Sequence, residues 1–427
     1  MIKIYSENLN TREEIFSVKE KKIDVSKIVS EIIETVKKSG DKALFEYNKK
    51  FDKADITSLR VSNEEIEEAF NNADKEFIKT LTLAKKNIER YHLQQKRKGF
   101  YLDDGEGAIV GQKIIPIERA GIYVPGGTAC YPSTVLMDSV PAIVAGCERV
   151  VMVSPPNSEG KINPSILVSA KIAGVSEIYK VGGAQAIAAL AYGTESIPKV
   201  DKIVGPGNAF VAEAKKQVFG VVSIDMIAGP SEILVVADNK NRPCDIAADL
   251  LSQAEHDKMA SAVLVTDDMD FAIAVSNELE KQIPMLERAE IARASIDDNG
   301  KIIVAKNLDS AIDVANAIAP EHLELCLDEP FKYLEKVKHA GSVFLGRYCP
   351  EAVGDYLAGA NHTLPTSGTA RFSSALSVDD FIKKTQYVYY DKNALSKVAD
   401  KIDYFAKKEG LTAHAKSATI RFKEENE

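Results

Sequence analysis

Apolar residues recur at helical spacing through the first part of the chain, from residue 26 to about residue 95. This stretch is charged and poor in glycine. Ser62 stands three residues before Glu65, the spacing of a capping box, at the start of an apolar-periodic run. The pattern predicts a helical N-terminal region, preceded by an arm over residues 1–25.

Near Gln112 the pattern changes to short β-rich runs, each followed by a stretch of small residues that suits a helix. The runs are KIIPI (113–117), GIYVP (121–125), RVVMV (149–153), EIYKV (177–181) and DKIVG (201–205). Alternating strands and helices predict a parallel sheet. Glycine-rich segments follow these runs, which is where α/β sheets bind ligands.

A second alternation of strands and helices begins at Glu232. Predicted strands cover residues 232–238, 261–266, 301–305 and 322–326, and predicted helices cover residues 243–255, 269–283 and a segment ending near residue 319. Residues 346–372 are rich in Gly, Pro, Ser and Thr without a clear period, and such a long loop in a compact protein is usually functional. Helical spacing returns over residues 391–408.

Composition and charge argue against several classes of protein. Lys and Arg number 54 against 63 Asp and Glu, which gives a net charge of −9, so nucleic acid and anionic membranes are poor partners. No apolar run reaches the roughly 18 residues of a transmembrane helix, and the N-terminal residues lack the apolar core of a signal peptide. Five cysteines, none in a CxxC pair, suit reduced thiols. We expect a cytoplasmic protein.

Two pairs of polar residues near predicted helix and strand ends are candidates for chemistry. Gln253 and His256 are three residues apart, so a helix would place both on one face. Glu321 and His322 are adjacent, and since neighbours in a strand point to opposite faces, only a turn could aim both into one cleft. The alternative for each histidine is a surface or hydrogen-bonding role, and for the second pair a strand start with one residue solvated.

Two further histidines lie near acidic residues. His362 is seven residues after Asp355 in the long loop, and His414 is five residues after Glu409 near the C-terminus. Together with the first pair, these segments could supply nitrogen and oxygen ligands of zinc type, although the spacing does not show that they meet. The ligand set would be Gln253, His256, Asp355 and His414.

The other two histidines have ordinary surroundings. His92 falls in the predicted N-terminal helices, and His339 lies in a charged helical segment. Both are predicted to lie at the surface.

Two glycine motifs are candidates for nucleotide contacts. GPGNAF at residues 205–210 begins like a dinucleotide fingerprint but lacks the third glycine of GxGxxG, and VGGAQA at residues 181–186 has a different spacing. Either segment could contact phosphate or ribose. Either could also be a tight turn between strand and helix.

Ten segments, in order from about residue 119 to residue 421, resemble those of the histidinol dehydrogenase family. They are ERAGIYVPGG, STVLM, VGGAQAIAALAYGT, GPGNAFVAEAK, DMIAGPSEILVVAD, LLSQAEHD, APEHLEL, AGSVFLG, GDYLAGANHTLPTSGTAR and HAKSATIR. The helical N-terminal region is compatible and less diagnostic. The resemblance implies a zinc-dependent, NAD-linked enzyme that oxidises L-histidinol twice, through bound L-histidinal, to L-histidine, the last step of histidine biosynthesis.

The resemblance also implies roles for individual residues. One zinc ion per subunit would be held by Gln253, His256, Asp355 and His414. Glu321 and His322 would be the catalytic pair, with His322 as the base for the alcohol proton and Glu321 as the activator of water. The residues that match substrate contacts are Ser231, Gln253, His256, His322, Asp355, His362, Glu409 and His414. The residues that match NAD contacts are Tyr123, Gln185 and Asn208.

The predicted fold is α/β, with two incomplete doubly wound, Rossmann-like αβα domains, an N-terminal helical arm and a C-terminal helical tail. Residues 121–230 would form the NAD-binding domain. Residues 26–120 and 231–375 would form a discontinuous αβ domain that carries the zinc and catalytic residues. The resemblance implies a homodimer in which residues 376–427 complete the partner's active site, so that Glu409 and His414 act in trans.

Other functions stay open at the level of sequence. A dehydrogenase of the same superfamily could oxidise another small alcohol, such as a sulfonated diol, but His362 and Glu409 match the histidinol pattern. A zinc hydrolase using Glu321 would not need the GIYVPGG and GPGN segments, and a metal-binding dimer without activity would not need the pair of Glu321 and His322. The metal could be zinc or manganese.

Overall fold

The computed structural model describes residues 1–7, 24–126, 130–227 and 229–423. Contacts between residues divide the chain into two units. The first unit comprises Met1–Gln95 and Ile117–Phe381, and the second comprises Lys96–Pro116 and Ile382–Glu427. The first unit holds two parallel sheets, and the second holds one antiparallel sheet. Within the described ranges, no helix is long and apolar enough to cross a membrane.

The N-terminal region is helical, as its spacing predicts. Its helices are α1 (Ser26–Tyr47), α2 (Asn63–Asn72) and α3 (Lys75–Leu93), with one π-helical turn at Asn48–Asp52. The capping box before α2 is confirmed, since Ser62 accepts a hydrogen bond from the amide of Glu65 and donates its own amide to the Glu65 carboxylate. Within the predicted arm, β1 (Lys3–Ser6) is a strand, and residues 8–23 lie outside the described residues.

Five parallel strands form the first sheet. They are β4 (Arg119–Tyr123), β5 (Arg149–Ser154), β6 (Glu177–Lys180), β7 (Lys202–Val204) and β8 (Ser223–Ile224), in the order β6–β5–β4–β7–β8. The helices between them are α4 (Pro132–Ala145), α5 (Pro164–Ala173), α6 (Gly183–Tyr192) and α7 (Ala209–Val218). Four of the predicted β-rich runs are therefore confirmed as strands. The strand order reverses between β4 and β7, which opens a crevice at the carboxyl edge of such a sheet.

Helix α1 packs against α6 and α7, two of the helices that cover this five-stranded sheet. Val29, Ile33 and Val36 of α1 belong to one buried cluster with Leu190 of α6 and the apolar residues of the strands. The predicted domain division had grouped the residues of α1 with residues 231–375. The amphipathic pattern of a helix shows which face is buried, whereas the sheet that receives this face is decided by the fold.

One predicted strand lies in a different sheet. Most of the KIIPI run falls in β3 (Ala108–Pro116), which belongs to the second unit rather than to the parallel sheet. There β3 lies between β2 (Phe100–Asp103) and β14 (Ile382–Tyr390) and is antiparallel to both. The prediction of a parallel strand was wrong because a short apolar run indicates strand character without indicating its partner.

Six parallel strands form the second sheet. They are β1, β9 (Glu232–Ala237), β10 (Ser261–Thr266), β11 (Lys301–Val304), β12 (His322–Cys326) and β13 (Ser342–Leu345), in the order β1–β11–β10–β9–β12–β13. The accompanying helices are α8 (Pro243–Ala254), α9 (Met269–Gln282), α10 (Ala289–Asn299), α11 (Leu308–Ile318) and α12 (Pro330–Leu334). Buried apolar clusters cover this sheet. The second predicted alternation is confirmed, and with it the Rossmann-like α/β description.

The long segment after β13 has short helical turns instead of a regular element. It holds α13 (Glu351–Val353), a π-helical turn at Gly354–Ala358 and 3-10 turns at Thr369–Arg371 and Val378–Phe381. In the second unit, β14 is followed by α14 (Lys392–Ser396), α15 (Ala399–Lys408) and α16 (Thr412–Thr419). The tail is thus helical after a strand that its sequence did not predict.

His92 is buried, and the prediction that it lies at the surface was wrong. Its side chain is fully shielded from solvent, and its Nδ1 lies 2.7 Å from Oε1 of Gln95. His92 follows Leu81, Ala84 and Ile88 at helical intervals, and all of them face the interior from α3. The helical spacing of these buried residues therefore indicates that His92 also faces the interior. Burial lowers the pKa of His92, which keeps the imidazole neutral.

Candidate active site

The predicted catalytic pair lies at the amino edge of the six-stranded sheet. β9 begins at Glu232 and β12 begins at His322, and these two strands are neighbours. Helix α8 follows β9 and runs back along the sheet, so its last residues return to the same edge. Gln253, near the end of α8, therefore lies beside the starts of both strands.

His322 contacts four residues of this cluster. Its Nδ1 lies 3.0 Å from the carbonyl oxygen of Glu232, 3.1 Å from Nε2 of Gln253 and 3.7 Å from Oε2 of Glu321. Its Nε2 lies 3.8 Å from Oδ1 of Asp355. Because a carbonyl oxygen can only accept, we assign the proton of His322 to Nδ1. The lone pair of Nε2 then faces the cleft.

Glu321 faces the same cleft as His322. Its Oε2 accepts a hydrogen bond of 2.9 Å from the amide of Glu232, whose carbonyl oxygen holds His322. The backbone of Glu232 therefore binds both Glu321 and His322. This is possible because Glu321 lies in the turn before β12 and not in the strand itself. The turn that the pair requires is present.

The long segment after β13 brings two more predicted residues to the cluster. Oδ1 of Asp355 lies 3.8 Å from Nε2 of His322 and 4.0 Å from Nδ1 of His362. Nε2 of His362 lies 3.3 Å from the hydroxyl oxygen of Thr134, near the start of α4. The segment therefore connects a helix of the first sheet with the amino edge of the second.

His256 lies two residues beyond the end of α8. Its amide donates to the carbonyl oxygen of Gln253 at 3.1 Å, so the chain keeps a helical turn after the helix ends. Burial and the nearby charge of Arg288 lower the pKa of His256. The charged form of His256 would add repulsion that lowers the pKa of both His322 and His362, after the larger effect of burial.

Four buried polar atoms of this cluster have no hydrogen-bond partner among the described residues. They are Oε1 of Gln253, Nε2 of His322, Oδ1 of Asp355 and Oε2 of Glu351. Ligand atoms of His322, Glu351 and Asp355 lie within 4.8 Å of one another. Buried polar atoms are nearly always paired, and a cation would satisfy acceptors of this kind. Amide, imidazole and carboxylate donors fit zinc.

Burial shifts the titratable groups of the cluster toward their neutral forms. It lowers the pKa of His322 to about 3 and the pKa of His362 to about 4. It raises the pKa of Asp355 to about 7, and it raises the pKa of Glu321 well above its ordinary value, where Glu232 and Asp355 add like-charge repulsion. A cation among these groups would favour the ionised carboxylates.

The three residues predicted to contact NAD lie at the carboxyl edge of the five-stranded sheet. Tyr123 ends β4, and its buried hydroxyl accepts a hydrogen bond of 3.1 Å from the amide of Gly183, which begins α6. Burial raises the pKa of Tyr123 to about 12. Gln185 is buried in the first turn of α6. Asn208 caps α7, because its Oδ1 accepts from two amides of the first turn.

The GPGN segment is a tight turn between β7 and α7. Gly205 has φ of +116°, and a Cβ there would lie 2.2 Å from the carbonyl oxygen of Tyr123, so only glycine fits. Nζ of Lys215 donates to the carbonyl oxygen of Gly205 at 3.0 Å, and Oδ2 of Asp225 accepts from its amide at 2.8 Å. Lys215 and Asp225 also form a buried ion pair. Lys215 and Asp225 therefore bind the carbonyl oxygen and the amide of Gly205, respectively, and fix the backbone of the turn.

Three predicted residues lie outside these contacts. Ser231 directly precedes β9, and its carbonyl oxygen accepts from the amide of Ser261. Glu409 follows α15 and His414 lies in α16, so both belong to the second unit, where they are exposed.

Three residues of the site were not predicted. Glu232 holds the catalytic pair through its backbone, Glu351 accepts a hydrogen bond of 2.7 Å from Nε2 of Gln253, and Thr134 contacts His362. A signal existed for Glu351, which stands four residues before Asp355 at helical spacing. For Thr134 the sequence offers only its place in the STVLM segment.

Fold and site together define a class of protein. A doubly wound α/β chain with a buried acid–base pair beside candidate metal-ligand atoms has the features of an enzyme.

Comparison with known proteins gives the family. A model of the family described as histidinol dehydrogenase matches residues 17–422. The histidinol dehydrogenase of Bacillus thuringiensis subsp. konkukian is 55% identical over 424 residues, which cover 99% of this chain and 96% of the relative. That of Clostridium acetobutylicum is 54% identical over 400 residues, with 94% and 93% covered. The chain belongs to the histidinol dehydrogenase family.

A solved structure agrees with this assignment. The crystal structure of histidinol dehydrogenase from Elizabethkingia anophelis is similar to this chain with a TM-score of 0.93 and 41% sequence identity, and 98% of each chain is covered. The resemblance noted from ten segments of the sequence is therefore confirmed over nearly the whole chain.

Proposed function

We propose that this chain is an NAD-dependent histidinol dehydrogenase, which oxidises L-histidinol through L-histidinal to L-histidine. The family supplies the identity of the reaction. The structural observation that carries the chemistry is the buried pair of Glu321 and His322, held by one backbone residue beside unpartnered ligand atoms. Two successive oxidations need a base for an alcohol proton and a group that activates water, and this pair offers both.

Zinc is the metal that we propose for the site. Gln253, His256 and Asp355 would hold it together with His414 of the partner subunit, one ion per subunit. The unpartnered Oε1 of Gln253 and Oδ1 of Asp355 support this ligand set. When bound, zinc would hold and polarise the substrate, since it has no redox chemistry of its own. Manganese is the alternative for nitrogen and oxygen ligands.

His322 serves as the base for the substrate hydroxyl. Its Nδ1–H donates to the carbonyl oxygen of Glu232, which fixes the ring and leaves Nε2 to accept a proton. Burial lowers the pKa of His322 to about 3, so the free imidazole is neutral near pH 7. His322 would take the hydroxyl proton on Nε2, and NAD, when bound, would supply the acceptor for the hydride that the same oxidation releases.

Glu321 serves in the second oxidation. Water must add to the aldehyde before a second hydride leaves, and a carboxylate can take the proton from that water. The amide of Glu232 holds one oxygen of Glu321, so the other oxygen is left for this step. Burial, which raises the pKa of Glu321, makes the carboxylate a stronger base when it is ionised.

Substrate and cofactor would be held by the remaining predicted residues. Ser231 and His362 would contact histidinol, with Glu409 of the partner subunit. Tyr123, Gln185 and Asn208 would contact NAD at the crevice where the first sheet reverses its strand order. The absence of a GxGxxG pattern in this segment suits a pose different from that of the usual fingerprint.

Two further features belong to the proposal. The enzyme would act as a homodimer with the C-terminal tail exchanged between subunits, as the family resemblance implies, and Glu409 and His414 are exposed on the second unit. The location would be cytoplasmic, where free thiols such as those of this chain stay reduced.

A stoichiometric assay tests the proposed reaction. Zinc-loaded protein with limiting L-histidinol and excess NAD should form two NADH per histidinol and release histidine. His322→Asn should lower kcat by about 10²–10⁴ without loss of zinc, whereas the matched variant His339→Asn should keep the wild-type rate. No NADH from histidinol would refute the reaction. Faster NADH formation from a sulfonated diol would favour the other dehydrogenase.

A further inference from the structure

The carboxamide of Gln253 has an orientation problem. Its oxygen and nitrogen have almost the same size, so the side chain can be turned by half a rotation without any change in packing. Only the oxygen can bind a metal ion. A glutamine ligand therefore needs a neighbouring group that distinguishes its amide oxygen from its amide nitrogen. Gln253 is 1% exposed, so bulk solvent does not provide this distinction.

The contacts of Gln253 identify that neighbour. Its Nε2 donates to Oε1 of Glu351 at 2.7 Å, while its own Oε1 has no partner. The second atom near Nε2 is Nδ1 of His322, at 3.1 Å. Because Nδ1 of His322 carries the proton that Glu232 accepts, it cannot also accept from Gln253. Glu351 is therefore the acceptor that turns the nitrogen away from the cleft.

Glu351 is itself firmly placed. It begins the short helix α13 and is 2% exposed. Its amide donates to Oε1 of Glu324 at 2.7 Å, which attaches the start of α13 to β12. Asp355 follows four residues later in the same helical segment. This one helical turn therefore supplies both the unpartnered Oδ1 of Asp355 and the Glu351 carboxylate that contacts the amide of Gln253.

We propose that Glu351 is a positioning residue that holds the Gln253 carboxamide with its oxygen toward the metal. An amide nitrogen can only donate, and Oε1 of Glu351 accepts from it, so this contact leaves Oε1 of Gln253 on the side that has no protein partner. Groups that orient metal ligands in this way usually change metal affinity by about 10–100-fold when they are replaced. The inference rests on the proposed zinc site.

Zinc affinity of the intact chain tests this role, measured by competition with a chromophoric chelator. Glu351→Gln keeps the size of the side chain but offers a donor as well as an acceptor, so the Gln253 oxygen can turn toward it. We expect zinc affinity to fall by about 10–100-fold. Glu335→Gln is the matched control, because it makes the same exchange at an exposed residue directly after α12, outside the contacts of Gln253 and Glu351. Its zinc affinity should stay close to wild type.

Exchange of the two side chains provides the rescue. In Gln253→Glu/Glu351→Gln, the new amide nitrogen can donate to the new carboxylate, which leaves one oxygen toward the metal. Zinc affinity should recover most of what the single variant loses. Should Glu351→Gln fail to fold, the exchanged protein still decides the question.

The outcomes separate the inference from the proposed function. A wild-type chain that binds no zinc would overturn the zinc site and this role with it. Tight binding by wild type and equally tight binding by Glu351→Gln would overturn the role of Glu351 alone. An exchanged variant as weak as the single variant would also overturn it.

Discussion

Thr134 sets the orientation of a residue that we expect to touch the substrate. Its hydroxyl contacts Nε2 of His362 at 3.3 Å, and Nδ1 of the same ring faces Asp355 at 4.0 Å. Thr134 is 2% exposed, so no solvent replaces its hydroxyl when it is lost. Thr134 on one side of the ring and Asp355 on the other therefore set the direction in which His362 presents its two nitrogens.

Replacing Thr134 by valine should impair substrate binding more than folding. Thr134→Val keeps the shape and removes the hydroxyl, so Nε2 of His362 loses its contact at a cost of about 1–2 kcal/mol. We expect KM for histidinol to rise by about 5–30-fold with a smaller change in kcat. Thr134→Ser restores the hydroxyl and should restore KM. Equal KM values for the serine and valine variants would contradict the role of the hydroxyl.

Asp138 makes the stability of the fold depend on pH. It is fully buried in α4, accepts a hydrogen bond of 2.7 Å from the hydroxyl of Thr363, and lies near the pair of Lys215 and Asp225. Burial raises the pKa of Asp138 to about 8. An unfolded aspartate ionises near pH 3.9. Between these values the folded chain holds a proton that the unfolded chain has lost, so the free energy of unfolding falls as pH rises.

An asparagine at this position should remove that dependence. Asp138→Asn keeps an oxygen for Thr363 and cannot ionise. In urea denaturation at about pH 5 and about pH 8, the variant should lose less unfolding free energy than wild type, by at most about 1.4 kcal/mol per pH unit. Parallel losses in the two proteins would show that Asp138 does not titrate in this range.

At the scale of elements, Asn208 has two separable roles. It caps α7 through hydrogen bonds of 3.0 and 3.2 Å to the amides of Phe210 and Val211, and we propose that it also contacts NAD. Loss of a cap of this kind costs about 1 kcal/mol. Serine can replace asparagine as a cap but not as an amide.

Two substitutions of Asn208 distinguish capping from cofactor binding. Asn208→Ala should lower the free energy of unfolding by about 1 kcal/mol, and Asn208→Ser should recover most of that loss. NAD affinity, measured by calorimetry, should stay weak in both variants if the amide contacts the cofactor. If NAD affinity recovers together with stability in the serine variant, the residue acts only as a cap.

Elements were predictable where their burial pattern is local. The strands β9, β10 and β11 are largely apolar runs buried on both faces, as expected for a parallel sheet between helix layers, and the sequence marks each of them. The KIIPI run has the same local character, yet it pairs with β14 from the far end of the chain. Local pattern determines that a segment is a strand, and contacts distant in sequence determine its partner.

At the scale of the whole molecule, the proposed exchange of tails predicts complementation. Subunits carrying His322→Ala lack the base, and subunits carrying His414→Ala lack a ligand in the tail. In a mixed dimer, the tail from the first subunit would complete the body of the second, so one of the two sites would be intact. Since half of randomly mixed dimers are of this kind, about a quarter of wild-type activity should return.

The control for this experiment is subunit exchange itself. Mass spectrometry of differently tagged subunits should show the mixed dimer, and mixing either variant with itself should restore nothing. A mixed dimer without activity would contradict a tail that acts in trans.

The sequence by itself determined most of the elements, the family and the identity of most site residues. Helical and strand periods depend on neighbours a few residues away, so they are readable directly, and even the burial of His92 follows from its spacing after Ile88. The ten family segments carried Gln253, Glu321, His322 and the other predicted residues except Glu409, without any knowledge of their contacts.

Only the tertiary structure decided how these residues meet. Glu351 lies 98 residues from the glutamine that it orients, and Thr134 lies 228 residues from the histidine that it holds. Such contacts depend on which strand ends and helix ends share one edge of a sheet, and the period of a single segment contains no information about that. The tertiary structure also places the side chains of Glu321 and His322 in one cleft. This is possible because side chains alternate between the two faces only within a strand, and Glu321 precedes β12.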